Sequence, residues 1–344
     1  ALSADSKKTT LLNYCNVEGL IKKDGEIMGL NFTDLINSKK YQIKSKVVIN
    51  ATGVFAEEII RMDQPKIEKM IQPSQGVHIV LERRFLKSKH AILIPQTSDG
   101  RVLFAVPWKN YVVVGTTDTH IKKASEEPKA LNEEIDFILK NAAKYMSVKP
   151  KRDDIKSVFA GLRPLAATSN KQSTKEVSRS HKIDISPSGL ISVLGGKWTT
   201  YRKIAEDALN TAISINKLKK KKCKTERTKL FGFKRNVSWS DPMHVYGSMK
   251  KKVESLGGVN DNKSLSKKFY VSNNIIEWSI IHEMALTVED ILARRTRCVF
   301  LDSKESKRIA PVVAQKMADV LGEDDKWIDA ELKKFNKLIK NYIV

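Results

Sequence analysis

The chain has 344 residues, a formal net charge of +23 and a hydrophobic content of 41%. This length predicts two or three domains with a large buried core, and this composition excludes a disordered or collagen-like chain. The sequence has no apolar run near the roughly 20 residues that a membrane-spanning helix needs. Its three scattered cysteines exclude a disulfide scaffold and a cysteine-based zinc site.

The first residues are polar and begin with Ala1, so we expect no signal peptide and no natural start at this position. We therefore expect a soluble protein of a reducing compartment, or a piece of one.

The hydrophobic pattern predicts mainly strands in the first 120 residues. Alternating or β-branched runs bounded by turn residues predict strands, at residues 11–17, 19–21, 26–32, 41–50, 76–81, 91–95, 101–106, 111–114 and 190–194, with another near Ser157. Tight turns are predicted at Asp24-Gly25 and Asp99-Gly100.

Helices dominate the rest. An amphipathic helix is predicted at residues 131–146, with Leu131, Ile135, Ile138 and Leu139 on its apolar face, and another starts near Thr200 and continues to Ile215. Residues 275–300 and 307–340 are mostly helical in pattern, after a boundary near 215–230. Mixed strands followed by helices predict an α/β or α+β enzyme body with a helical appendage.

The positive net charge is compatible with anionic partners but does not identify one. The chain contains 48 Lys and 14 Arg spread along its length, with aromatic residues at 7%. Nucleic acid recognition favours Arg forks clustered with aromatic side chains, so we expect no nucleic acid partner. The densest block has six Lys in residues 217–224, which favours a solvated linker over attraction to an anionic membrane surface.

Residues 46–53, Lys-Val-Val-Ile-Asn-Ala-Thr-Gly, combine a β-branched run with small residues at its end. Such a run predicts a strand buried on both faces of a parallel sheet. Ala51, Thr52 and Gly53 would let the backbone approach a ligand at the carboxyl edge of that sheet, where open α/β sheets bind cofactors. For this segment alone, a core strand with a glycine turn is the simpler explanation.

Residues 189–202 predict a strand, a glycine pair and a helix whose N-cap is one of two consecutive threonines. Gly195 and Gly196 would allow close approach of the backbone, and a helix N-terminus offers free N–H groups to an anion. Lys197 would add a full positive charge beside them. We interpret this junction as an anion-binding site, with a tight turn and a solvent-facing Lys as the alternative.

Three further segments place polar groups in strands or turns. Pro164 restricts Arg163 to an extended conformation, and an Arg fork held there suits a phosphate or carboxylate; a structural ion pair is equally consistent. His78 shares one face of its predicted strand with Gly76, and a lone strand His is more often hydrogen-bonded than catalytic. Residues 115–119, Gly-Thr-Thr-Asp-Thr, predict a loop held by local hydrogen bonds.

No G-x-G-x-x-G follows a predicted strand, so the usual pyrophosphate loop of dinucleotide-binding proteins is missing from the sequence. From the motifs alone we predict an anion-binding α/β protein.

Taken in order, these segments resemble the FAD-dependent glycerol-3-phosphate dehydrogenases, within the D-amino-acid-oxidase-like class of flavoproteins. The resemblance covers essentially the whole chain and is strong because the segments keep family-like spacings. They are N-A-T-G at 50–53, Q-P-S-Q-G-V-H-I-V at 72–80, T-S-D-G-R-V at 97–102, G-T-T-D-T at 115–119, G-L-R-P-L at 161–165, S-G-L-I-S-V-L-G-G-K-W-T-T-Y-R at 188–202 and E-M-A-L-T-V-E-D-I-L-A-R-R-T-R at 283–297.

The resemblance implies a fold of three parts. Residues 1–65 and 155–215 would form part of a Rossmann-like FAD-binding domain, residues 66–154 an antiparallel β substrate-binding cap, and residues 230–344 a C-terminal helical domain. In this family the G-x-G-x-x-G lies at the extreme N-terminus. We therefore expect the chain to be the C-terminal two-thirds of such an enzyme, without that unit.

The resemblance also implies a reaction. Members of the family oxidise sn-glycerol 3-phosphate at C2 to dihydroxyacetone phosphate and pass the electrons to a membrane quinone. By the match, Arg163 binds the substrate, Lys197 lies between flavin and substrate, and His78 is a candidate base or a substrate-positioning residue. The implied FAD contacts are Val17, Ala51, Thr52, Gly53, Gly195, Gly196, Lys197, Thr199 and Thr200, and no metal is expected.

We expect a cytoplasmic protein that is held peripherally at the inner membrane. Its expected partners are an anionic membrane surface and a second copy of the chain in a homodimer. The alternatives are an oxidase of the same class that uses O₂, a catalytically incomplete fragment, and a basic module that binds RNA or anionic lipid. Quinone and O₂ both fit the sequence as electron acceptors.

Overall fold

The computed structural model of the protein describes residues 1–7, 9–167 and 180–344. These residues form twelve strands: β1 Cys15–Lys23, β2 Glu26–Asp34, β3 Lys39–Lys44, β4 Ile49–Asn50, β5 Ile71–Glu82, β6 Ile92–Ile94, β7 Leu103–Trp108, β8 Tyr111–Gly115, β9 Thr119–His120, β10 Ser157–Ala166, β11 His181–Ile185 and β12 Ile191–Gly195. Their α-helices are α1 Leu2–Asp5, α2 Ala56–Asp63, α3 Asn132–Ala142, α4 Tyr201–Ile215, α5 Lys250–Glu254, α6 Asn273–Glu283, α7 Cys298–Leu301, α8 Ser303–Leu321 and α9 Asp325–Leu338. The fold is therefore mixed α/β with antiparallel sheets and a helical C-terminal region, as the sequence predicts.

A six-stranded antiparallel sheet forms the centre of the fold, with strand order β10-β5-β8-β7-β6 and β9 beside β5. Successive side chains of each strand point to opposite faces. One face packs Val77, Ile79 and Val112 against Ile135 and Ile138 of α3. The opposite face carries polar side chains of β5 and β10, and the candidate site lies there.

This central sheet crosses the domain boundary predicted at residue 154. β10 pairs with β5 from Ser157, opposite Val80, to Ala166, opposite Ile71. Residues 157–166 therefore belong to the predicted cap sheet rather than to the FAD-binding part. The pattern predicts a strand near Ser157, but it carries no local signal for the distant strand that β10 pairs with. The rest of the predicted 155–215 portion includes residues 168–179, which lie outside the described residues.

A second sheet has the strand order β11-β12-β4, and β12 pairs with β4 in parallel. The parallel pairing is confirmed, but β4 is only two residues long. Val47 and Ile49 are half-buried, so the predicted burial on both faces is wrong. The reason is that Ile49 lines a cavity instead of packing beneath a layer of helices.

A third sheet contains β1, β2 and β3, all antiparallel. The predicted turn at Asp24-Gly25 is confirmed, because the two residues have φ of 52° and 84°, as a two-residue type I′ hairpin requires. The strand predicted at residues 11–17 begins only at Cys15. Val17 lies in β1 opposite Phe32 and is half-buried.

The helical C-terminal region packs against one end of the central sheet. Its apolar core joins Ile309, Val313 and Phe335 of α8 and α9 to Val80 and Tyr111 of the sheet. None of the helices within the described ranges is long and apolar enough to cross a membrane.

Two predicted helices are confirmed with one error each. α3 lies within residues 131–146 and buries Ile138 completely, but Leu131 is 44% exposed because it precedes the first helical turn. α4 begins at Tyr201 as predicted, but Ile215 is 41% exposed because it lies at the fraying last turn.

Candidate functional site

The side chain of Arg163 lies on the polar face of the central sheet, where β10 places it opposite Ser74 of β5. Its Nη2 donates to Thr116 Oγ1 and to the carbonyl of Thr117, each at 3.1 Å, and its Nη1 donates to Ser74 Oγ at 3.4 Å. Asp118 Oδ1 lies 3.8 Å from Nη1 and supplies a counter-charge, while the side chain is 30% exposed. Arg163 is therefore held in one direction with part of its surface open to solvent, the arrangement that an anion-binding fork needs.

His78 lies on the same face, two residues beyond Gly76 along β5. Its ring stacks on Phe159 of β10, with centroids 5.2 Å apart and an interplanar angle of 16°. Two glycines provide the space. A Cβ on Gly115 would collide with the His78 ring, and a Cβ on Gly76 would collide with the Arg163 guanidinium.

The pKa of His78 is lowered to about 4, first by burial and then by the charge of Arg163. The imidazole is therefore neutral at pH 7. Within the part of the chain that the structure describes, neither ring nitrogen makes a hydrogen bond. A neutral imidazole has a lone pair that accepts a proton. The neighbouring Arg163 and His78 can thus bind an anion and accept a proton at adjacent positions.

The loop at residues 116–119 is not the locally bonded loop that the sequence predicts. One local bond is present, from Thr116 Oγ1 to the carbonyl of Thr117 at 3.2 Å, but both residues also accept hydrogen bonds from Arg163. Ser74 of β5 donates to Asp118. Sequence reasoning missed Ser74 and Asp118 because their partners lie far away in the chain. The glycines inside predicted strands were the available signal, since a strand glycine marks close approach of another group.

A cavity of about 670 Å³ opens between β4, β12 and α4. Because β4 and β12 run parallel, they bring two glycine-containing motifs to one place. Four predicted FAD contacts line the cavity: Ala51, Gly195, Gly196 and Lys197. Much of the remaining lining is apolar and includes Leu162, Pro164, Val193, Trp198 and Ile204. Cavities of this size and character hold cofactors and small ligands.

The backbone itself forms one wall of this cavity. Gly195 and Gly196 have φ of 68° and 89°, in the left-handed region that side chains disfavour. A Cβ on Gly195 would lie 3.0 Å from the carbonyl oxygen of Ser180, and one on Gly196 would lie 2.7 Å from Ile204 Cδ1. Both positions therefore favour glycine, by backbone conformation and by the space beside them.

Asn50 organises the turn that follows β4. Its Nδ2 donates to the carbonyl of Ala56 at 2.9 Å and to Ser192 Oγ at 3.3 Å, and its Oδ1 accepts from Thr52 Oγ1 at 2.7 Å. Thr52 is therefore bonded within the turn, and Gly53 starts a short 3₁₀ turn. Sequence reasoning missed Asn50, although an amide that follows a β-branched run is a signal for such a turn.

The remaining predicted FAD contacts lie outside the cavity lining. Thr199 and Thr200 are exposed in a 3₁₀ turn before α4. Thr200 occupies the N-cap position, but its hydroxyl donates to the carbonyl of Lys197 at 2.9 Å. The predicted N-cap position is therefore confirmed, but the hydroxyl caps no helix N–H, because the tight turn brings that carbonyl within its reach. Val17 lies in the separate sheet of β1.

β10 contributes residues to both groups of candidate residues. Leu162 and Pro164 line the cavity, whereas Arg163 between them points to the opposite face. Lys197 is exposed at the cavity and forms no ion pair with the residues described by the structure. Its position between flavin and substrate stays a prediction.

Two known protein families match the chain. Residues 1–202 match the family described as FAD dependent oxidoreductase, and residues 191–328 match the C-terminal domain of alpha-glycerophosphate oxidase. The chain belongs to the FAD dependent oxidoreductase family.

Individual relatives confirm the resemblance seen in the sequence. The mitochondrial glycerol-3-phosphate dehydrogenase of Bos taurus is 32% identical over 98% of this chain and 50% of that protein. The probable mitochondrial glycerol-3-phosphate dehydrogenase of Dictyostelium discoideum is 33% identical over 100% of this chain and 58% of that protein. The structure of glycerol-3-phosphate dehydrogenase from Bacillus halodurans, complexed with FAD, matches with a TM-score of 0.80 and 25% identity, over 100% of this chain and 72% of that one. The chain thus spans about half the length of the curated relatives.

Proposed function

We propose that the protein carries out FAD-dependent oxidation of sn-glycerol 3-phosphate to dihydroxyacetone phosphate. The observation that carries the proposal is the placement of Arg163 and a neutral His78 on one face of the central sheet. A phosphate dianion needs an oriented cation, and oxidation of a secondary alcohol needs a proton acceptor. The glycerol-3-phosphate dehydrogenases among the relatives support this choice of substrate.

FAD fits the cavity walled by Gly195 and Gly196, since a backbone without Cβ atoms allows the close approach that a planar ring or a phosphate requires. Bound FAD would supply the two-electron acceptor for the oxidation. We assign the cofactor contacts in this cavity to Ala51, Gly195, Gly196 and Lys197. The further candidates are Val17, Thr52, Gly53, Thr199 and Thr200.

The residues of the chain divide the remaining tasks. Arg163 binds the phosphate group, and the acceptors around it fix its direction. The bound dianion offsets the charge of Arg163, which is one of the two causes of the low pKa of His78, so that pKa rises. His78 then takes the proton of the C2 hydroxyl, and the hydrogen of C2 with its bonding electron pair would pass to bound FAD. Phe159 covers one side of the imidazole and excludes water there.

Anaerobic reduction of the FAD-loaded protein tests the proposal. We expect sn-glycerol 3-phosphate to bleach the visible absorbance of the flavin, and glycerol, which lacks the anion for Arg163, to leave it unchanged. Persistent absorbance with sn-glycerol 3-phosphate, in a sample that dithionite bleaches, would contradict the proposed function.

A membrane quinone is the proposed electron acceptor. Stopped-flow reoxidation of the reduced protein by a quinone analogue and by O₂ tests this choice. Faster reoxidation by the analogue supports the dehydrogenase, whereas faster reoxidation by O₂ would make the protein an oxidase.

We also infer that the protein is held peripherally at an anionic membrane surface by residues 217–240, here named the basic segment. The basic segment contains eight Lys and two Arg against one Glu. Four of its large apolar side chains are exposed: Leu230 64%, Phe231 42%, Phe233 51% and Trp239 81%. Lysines attract anionic lipids, and aromatic side chains partition at the bilayer interface.

Co-sedimentation with lipid vesicles tests the role of the basic segment. We expect binding to vesicles that contain phosphatidylglycerol and not to pure phosphatidylcholine, with a loss of about tenfold for Trp239→Ala, because burying an indole contributes ~1.5–3 kcal/mol. Trp198→Ala is the matched control, since Trp198 is 86% exposed but lines the cavity. Equal binding by both variants and the wild type, or binding to RNA in place of vesicles, would refute this surface.

A further inference from the structure

A buried carboxylate lies beneath the central sheet, close to the candidate site. Glu134 is in the first turn of α3 and is 5% exposed. Its Oε1 accepts hydrogen bonds from Thr117 Oγ1 at 2.8 Å and from Thr119 Oγ1 at 2.6 Å. Its Oε2 accepts from Gln75 Nε2 at 2.7 Å and from the backbone N–H of Leu131 at 3.0 Å.

This environment exceeds what helix capping requires. A Glu at this helix position commonly accepts one bond from the N-cap backbone, here that of Leu131. Burying a carboxylate costs free energy unless donors surround it. In the described part of the chain no cationic side chain forms an ion pair with Glu134, and its four donors are neutral. Three of these donors are the side chains of Gln75, Thr117 and Thr119. These three hydrogen bonds are not needed to cap α3.

Alternation along the loop connects Glu134 to Arg163 through the sheet. In residues 116–119 the hydroxyls of Thr117 and Thr119 donate hydrogen bonds to Glu134. The side chains of Thr116 and Asp118 lie on the opposite face. Thr116 accepts a hydrogen bond from Arg163, and Asp118 is its counter-charge. The hydroxyl of Thr117 also accepts a hydrogen bond from the backbone N–H of Val77 at 3.0 Å, which connects the loop to β5.

We propose that Glu134 is a positioning residue that directs Arg163 toward the anionic group of the substrate, by fixing the loop at residues 116–119. The inference rests on the proposed function, because it takes Arg163 as the anion-binding residue. A loop released from Glu134 moves the acceptors that hold the guanidinium, so the affinity for phosphate falls. The FAD cavity is lined by neither Glu134 nor the residues that it bonds, so FAD binding stays unchanged.

Three variants separate positioning from general stability. Glu134→Gln keeps the shape of the side chain but loses the charge and half of its acceptor capacity. Thr119→Val removes one donor and keeps the volume. Asn141→Ala is the control, because Asn141 is also on α3 and fully buried, and bonds to Ser98 and Phe137 instead of the loop.

Inorganic phosphate is the probe, titrated into the protein while NMR follows His78, one of six His in the chain. We expect phosphate affinity to fall about tenfold in Glu134→Gln, as for one lost charge-assisted hydrogen bond, and about threefold in Thr119→Val. Asn141→Ala lowers the melting temperature without changing phosphate affinity. In the FAD-loaded enzyme the KM for sn-glycerol 3-phosphate rises by the same factors, while kcat changes by less than about twofold.

Two outcomes overturn the inference, and they differ from failure of the proposed function. If Arg163→Gln weakens phosphate binding but Glu134→Gln and Thr119→Val do not, the positioning role is refuted and the anion site stands. If Asn141→Ala weakens phosphate binding as much as Glu134→Gln does, the effect is one of stability and the role is refuted as well. If the wild type binds phosphate no better than Arg163→Gln, the anion site itself fails.

Discussion

The polar face of the central sheet and the cavity beside β4 and β12 use opposite means to prepare for a ligand. At the sheet face, side chains from three chain segments converge, and Arg163 is held by the acceptors of one loop and one strand. At the cavity, the backbone of Gly195 and Gly196 forms the wall, and the nearest charge, Lys197, is exposed.

The difference indicates a division of labour. A fixed side-chain cluster selects the charge and geometry of a small anion, because its hydrogen bonds are made before the anion arrives. A backbone wall accepts the close approach of a large planar or phosphorylated group with little selectivity of its own. If this division holds, damage to one region leaves the binding function of the other intact.

Replacing the guanidinium gives the largest expected effect. Arg163→Gln removes the cation, and we expect the KM for sn-glycerol 3-phosphate to rise at least about 100-fold, since each hydrogen bond to a charged group contributes ~1.5–3 kcal/mol. The flavin content, measured by absorbance, stays near that of the wild type. Arg152→Gln is the control, because Arg152 forms an exposed ion pair with Asp136, and its KM should not change. An unaltered KM in Arg163→Gln would show that Arg163 on the polar face of the central sheet does not bind the substrate.

At the cavity, a single methyl group should weaken FAD binding. Gly196→Ala places a Cβ against Ile204, whereas Gly189→Ala, at a similar φ of 86°, meets nothing within 4 Å. Both variants lose stability, by about 1–2 kcal/mol for the left-handed conformation. Fluorescence titration should show about tenfold weaker FAD binding in Gly196→Ala only. Equal FAD affinity in the two variants would show that the glycine wall does not touch the cofactor.

The low pKa of His78 predicts a pH dependence of stability. In the folded chain this pKa is about 4, below the ordinary value of 6.5, so the unfolded chain binds more protons between these two values. Stability therefore falls as the pH drops from 6.5 to 4, by about 3 kcal/mol from this residue. Urea unfolding of His78→Gln should show a flatter profile in that window, and the exposed His90→Gln should follow the wild type. A His78→Gln profile as steep as that of the wild type would contradict the neutral buried imidazole.

The smallest effect is expected at the start of α4. Because the Thr200 hydroxyl donates to Lys197 and caps no helix N–H, Thr200→Ala should change stability by less than about 0.5 kcal/mol and FAD affinity by less than about twofold. Asp324→Ala is the comparison, since Asp324 accepts from the N–H of Trp327 at 2.9 Å, and it should cost about 1 kcal/mol. A larger loss in FAD affinity for Thr200→Ala would indicate a cofactor contact at that hydroxyl.

Much of the fold could be predicted because its signals are local. Alternation located β5 and β8, the apolar spacing located α3, and the Asp24-Gly25 turn follows from backbone preferences alone. The errors have two causes. The partner of a strand is set by packing between distant segments, which is why β10 joined the cap sheet. The ends of helices are set by one or two residues, which is why Leu131 lies before the first turn of α3 and outside its apolar face.

The candidate site follows the same rule. Arg163 and the glycine pair could be predicted because proline and glycine restrict or permit backbone conformations that a ligand site uses. Glu134 could not be predicted, since it acts through contacts with Thr117 and Thr119 that no spacing in the sequence encodes.

A crystal structure of the FAD-loaded protein with dihydroxyacetone phosphate would test the central claim most directly. We expect the phosphate to lie within hydrogen-bond distance of the Arg163 guanidinium and the C2 oxygen to lie beside the His78 ring. A phosphate bound at any other cation, with Arg163 still facing only its protein acceptors, would contradict it.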